Sequence, residues 1–130
     1  VINTEQVIDF NQTVLGVEAR LKGLLENAEL SISHKCMVEE ADELLTAHKE
    51  FDFIGSVDAC LDSIYFSVGV LYKLGLTSKE MSDCFDAVHN ANMEKKKGTN
   101  AKRDTGAADA VKPEGWIAPE KRIAKILGMD

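Results

Sequence analysis

Positive charge is in short supply in this chain: 15 lysines and arginines face 22 aspartates and glutamates across 130 residues, for a net charge of -7 and an isoelectric point near 5.0. That balance excludes a general affinity for nucleic acid or an anionic membrane, because neither polyanion gains from meeting an acidic surface. Metal ions and small charged metabolites stay open. Cysteine is scarce, and Cys36, Cys60 and Cys84 show none of the close pairings of a zinc site or a redox couple. Buried, reduced thiols in a cytoplasmic protein are therefore expected. No apolar run approaches the roughly 18 residues of a membrane span, and the first residues lack the basic-then-apolar pattern of a signal peptide. Also missing are a nucleophile triad, a glycine-rich phosphate loop and an internal repeat; Gly55, Gly69, Gly75 and Gly98 stand alone.

What the chain has is helical periodicity. With 45% hydrophobic residues, its length suits one all-α domain of four or five helices, a core over about 4–93 followed by a loop and extended arm over about 94–130. Asn3 or Thr4 caps a first helix through Val7, Ile8, Phe10, Val14 and Leu15, ending near Gly16. Residues 17–30 are helix-compatible, weakened by Gly23 and the polar Glu26-Asn27 pair. A helix over about 32–49, with Ser31 or Ser33 as cap, precedes a more apolar one that starts at Asp52 or Ser56 and stops before Gly75. From Gly55 to Tyr72 this second helix has no lysine or arginine, so it reads as central and buried nearly all round. Thr77 with Glu80 makes a capping box for a helix to about Met93. Residues 94–110 show no apolar periodicity and read as a mobile loop. The stretch 111–119 is expected to be extended and docked by Trp116, with a short helix over 120–127 after it.

Acids fall where they are costly. Glu39, Glu40 and Glu43 share a helix sector about 100° wide beside the apolar face formed by Met37, Val38, Ala41, Leu44 and Leu45. Asp58 and Asp62, one turn apart, lie on the apolar helix, where unpaired carboxylates cost several kcal/mol each. A solvated helix face is the ordinary explanation of a glutamate cluster. The conjunction of both sets favours a divalent cation held between facing helices, and all-oxygen ligation suits Mg2+, with Mn2+ as a substitute. His34 and Lys35 lie one turn before the glutamates and can meet an anionic ligand, whereas His89 is an isolated helix histidine. Asn92 with Lys95, Lys96 and Lys97 can hold phosphate oxygens beside such a site, although a lysine run is more often a solvated surface.

These motifs resemble the all-α nucleoside triphosphate pyrophosphohydrolases, the superfamily of MazG, the dimeric dUTPases, dCTP pyrophosphatase and phosphoribosyl-ATP pyrophosphohydrolase. The resemblance runs over about 5–120. Its EExxE half is intact at Glu39-Glu40-Ala41-Asp42-Glu43, while the ExxD half departs: Asp62 matches, Ala59 replaces the glutamate, and Asp58 stands one residue earlier. That DxxxD variant looks like the MazG-like, phosphoribosyl-ATP-pyrophosphohydrolase-like subgroup, as do Asp9-Phe10, the segment Val88-His89-Asn90-Ala91-Asn92-Met93-Glu94-Lys95, and the segment Val111-Lys112-Pro113-Glu114-Gly115-Trp116 with Pro119. The resemblance implies magnesium-dependent hydrolysis of a (d)NTP to (d)NMP and pyrophosphate in nucleotide-pool control, with a lean toward a purine such as dGTP. It implies Glu39 as the group that activates water, Glu40, Glu43 and Asp62 as metal ligands with Asp58 replacing the missing glutamate, and Asn92 and Lys95 as substrate-binding residues. Tyr65, Trp116 or Phe66 are candidates for lining a base pocket, although aromatic residues at helical spacing are more often core, and Lys35 is a candidate for meeting the substrate. Phosphoribosyl-ATP pyrophosphohydrolase activity and a non-catalytic metal- or nucleotide-binding module are the alternatives. Family members form homodimers or homotetramers with composite sites, which is the assembly expected here.

Overall fold

Asn3 accepts a hydrogen bond from the Glu5 amide and starts α1, Thr4–Thr13, in the computed structural model, which describes residues 2–103 and 105–130. Three more long helices follow: α2, Asn27–Lys49; α3, Phe53–Lys73; and α4, Ser78–Met93. A short antiparallel hairpin of β1, Lys96–Gly98, and β2, Asp109–Val111, encloses a 3-10 turn at Ala101–Arg103, and α5, Glu120–Ile126, closes the series. The architecture is all-α with one minor hairpin, as the periodicity predicts. Two compact units divide the chain, the first running to Ser78 and the second spanning Lys79–Asp130.

In the first unit α2 and α3 form a helical hairpin. The link between them is only 50–52, which forces antiparallel neighbours. Asp52 caps α3, its Oδ1 accepting from the Gly55 amide at 2.8 Å, while its own amide donates to Ala47 O. At the far end Gly75, at φ 95°, turns the chain where an L side chain is strained. The buried apolar side chains of this unit are small or few: Val7, Ala47, Ala59, Val68 and Tyr72.

Four expectations change. Residues 14–26 are not helical, because their polar groups are committed to tertiary partners: Tyr72 Oη donates to Val17 O at 2.8 Å, Gly23 N donates to Leu74 O, and Arg20 grips Glu29 through two bonds of 2.8 Å. The next helix therefore begins at Asn27, earlier than the serines proposed as its cap, and Ser33 is a buried residue within it. Most important, α3 is not buried all round. Its buried residues are Ala59, Val68, Gly69 and Tyr72, while Phe53, Ile54, Val57, Leu61 and Ile64 are exposed. By length and composition this helix is apolar enough to cross a membrane, contrary to the reading that no run approaches a span.

The second unit also corrects the sequence reading, since part of the supposed loop is the hairpin, with Lys97 opposite Ala110. Gly98 lets the strands approach closely there: a Cβ on it would lie 2.6 Å from Val111 Cγ2, so that side chain would have to shift. Trp116 docks the tail as expected, its indole Nε1 donating to Ala91 O at 2.7 Å, with Lys95 and Lys112 Nζ 5.0 and 5.1 Å from the ring centroid. Of the cysteines, only Cys84 is buried, and that burial raises its thiol pKa; Cys36 is half-buried and Cys60 exposed.

Candidate active site

Glu40 is the inward member of the EExxE helix. The two adjacent glutamates diverge by about 100°, so Glu40 turns into the α2/α3 hairpin, 8% exposed, and Glu39 and Glu43 stay exposed. Its Oε2 is buried and has no hydrogen-bond partner. Burial raises its pKa from the ordinary 4.5 to about 7, helped by a hydrogen bond with Glu43 and by the negative charges of Glu43, Asp62 and Asp58. Thus three of the other four acids expected in the site act on Glu40, all within a single unit. Asp62 is half-buried and Asp58 exposed, so the cost of burying acid falls mainly on Glu40 rather than on the two aspartates.

An orphaned carboxylate oxygen among three other carboxylates is a donor set that fits a hard divalent cation: it supplies only oxygen and concentrates negative charge. Among the described residues, no three side chains already converge as a closed cage. The geometry is that of acids sharing one electrostatic field.

Beside the acids, α1, α2 and α3 enclose a cleft of about 210 Å3. Tyr65 lies in its wall, its ring edge-on to Phe10 at 5.5 Å and 77°, and Phe66 is a neighbour. Lys35 is exposed and is not among the lining residues; Lys73 is the cation that lines this cleft. Asn92 and Lys95 come together in the second unit, where they line an open basic recess of about 390 Å3 with Lys96, Lys97 and Asp109. Asp109 has a lowered pKa because the Ala110 amide and then Arg103 stabilise its charge.

One residue escaped the sequence reading. Asn11 is only 3% exposed and lines the 210 Å3 cleft. Its Nδ2 donates to Val7 O at 2.9 Å, and its Oδ1 is buried with no partner. The clue was present in α1, because Asn11 lies four residues after the buried Val7, and an amide at a core position of an amphipathic helix calls for a reason.

A sequence profile of the phosphoribosyl-ATP pyrophosphohydrolases matches residues 21–92, more than half of the chain, taking in α2, α3 and nearly all of α4. No curated protein matches the chain.

Proposed function

The chain belongs to the phosphoribosyl-ATP pyrophosphohydrolase family, within the MazG-like all-α superfamily, and from that premise we propose that this pyrophosphohydrolase acts on a (d)NTP, releasing (d)NMP and pyrophosphate with Mg2+. The carrying observation is the buried, unpartnered Glu40 Oε2 in the field of Glu43, Asp62 and Asp58. Glu40, Glu43, Asp58 and Asp62 would hold the metal. When bound, such an ion neutralises phosphate oxygens and makes a bound water more acidic. Glu39, next to Glu40 and exposed, orients the attacking water and takes its proton. Asn92 and Lys95 bind the phosphate chain with neutral and cationic donors, and Tyr65 packs against the nucleoside.

Phosphoribosyl-ATP is the second reading, and the family match supports it equally. Both substrates present the same polyphosphate to the acids and differ in what surrounds the base. The enzyme works in the cytoplasm as a homodimer or homotetramer, a reading supported by the exposed apolar stripe of α3. A bilayer is the poorer home for that helix, because Asp58 and Asp62 would each cost about 2.5–3.5 kcal/mol near a membrane centre.

The test is pyrophosphate release from the eight common nucleoside triphosphates and phosphoribosyl-ATP, with and without Mg2+. Turnover of one or more (d)NTPs only with metal is expected. Turnover of phosphoribosyl-ATP alone would establish the second reading, and no turnover of any substrate would leave a non-catalytic binding module.

A further inference from the structure

We propose that the cleft between α1, α2 and α3 is the base subsite of this enzyme, and that Asn11 Oδ1 accepts an N–H of the nucleobase. The inference rests on the nucleotide reading above, and it assigns base recognition to a residue on α1, outside the matched residues 21–92.

Three observations converge on it. Asn11 is 97% buried, and the bond from its Nδ2 to Val7 O fixes which end of the amide is the acceptor. Its Oδ1 is then left without a donor in a lining that is mostly apolar, a condition native interiors rarely tolerate without a ligand or ordered water. A cavity of about 150 Å3 can hold benzene, so the 210 Å3 here suits one flat heterocycle, and Phe10, Tyr65 and Phe66 provide aromatic walls.

Position relative to the acids agrees. Cys36 and Phe66 line the cleft, each four residues from an acid of the site, Glu40 and Asp62 respectively. Four residues of helix rise about 6 Å. A ring in the cleft and a phosphate chain at the carboxylates are thus separated by about the length of a ribose.

The experiment follows the Asn11 side-chain amide and the Tyr65 and Phe66 ring resonances by NMR during titration with adenosine, guanosine, uridine, cytidine and purine riboside, which has no N–H on its base. At least one donor-bearing nucleoside should shift all three groups, and purine riboside should bind about tenfold more weakly or worse than the best of them. Asn11→Leu should weaken the best nucleoside about tenfold or more while leaving the melting temperature equal or higher, because the deleted oxygen has no partner in the free protein. A purely structural asparagine would behave in the opposite way. Failure of every nucleoside to shift Asn11, or unchanged affinity in a folded Asn11→Leu protein, overturns the proposal. The comparison of the best-binding nucleoside with purine riboside needs no variant and decides the matter even if the variant does not fold. Nucleoside binding at Asn11 without hydrolysis of any triphosphate would overturn the enzymatic reading alone, and hydrolysis with an unresponsive Asn11 would overturn this inference alone.

Discussion

Glu40 shows how one carboxylate can be both a liability and a site. Because its folded pKa is raised to about 7 while the unfolded value is 4.5, the folded protein retains a proton that the unfolded chain has lost between those limits. Stability from this group therefore falls as pH rises from about 4.5 through 7 and is constant on either side. Metal-free protein should show that loss in urea titrations at pH 5, 6, 7 and 8, Glu40→Gln should flatten it, and Mg2+ should restore stability at pH 8 by supplying the missing charge. Glu43 is exposed and shares the field, so Glu43→Gln should remain folded by circular dichroism yet lose on the order of 100-fold in turnover. Full turnover would remove Glu43 from the site. The acids were legible in sequence because charge on apolar helices is conspicuous. Which of them bears the burial was not, since it depends on the rotation of α2 against α3, and adjacent Glu39 and Glu40 end in opposite environments.

At the scale of elements, end signals predicted more than composition did. Asn3, Asp52 and Gly75 mark the observed starts and stop of α1 and α3 because each solves a local backbone problem that its neighbours cannot alter. Asp52→Ala should cost about 0.5–2 kcal/mol in urea unfolding by releasing the Gly55 amide. Gly75→Ala should cost about 1–3 kcal/mol or more, since its Cβ would be strained at φ 95° and would lie 2.7 Å from the Leu21 backbone. An unchanged unfolding midpoint in either variant would contradict the corresponding local account. Elements that depend on remote partners were the ones misread. Residues 17–26 have the apolar spacing of a helix, yet Leu21 and Leu24 stay exposed while Tyr72 and Leu74 engage the backbone. The β1/β2 strands are three residues each, too short for a period to register.

For the whole molecule, the outstanding fact is how little large apolar surface is covered. Among the described residues no large side chain is fully buried, and Phe53 and Ile54 at the start of α3 are 76% and 74% exposed. The hydropathy of α3 was legible, but within one copy of the chain the helix is not buried nearly all round: sequence reveals that a face must be covered, not which chain covers it. A second copy of the chain covers such a stripe without new sequence, and a stable isologous interface generally buries at least about 1,000 Å2. Sedimentation should therefore give a dimer or tetramer at micromolar concentration, with a melting temperature that rises with protein concentration. The double substitution Phe53→Ser with Ile54→Ser removes apolar area that the free chain does not bury, so it should shift the assembly toward monomer and abolish the concentration dependence. A wild-type monomer with a concentration-independent melting temperature would show that the stripe has no second copy on it.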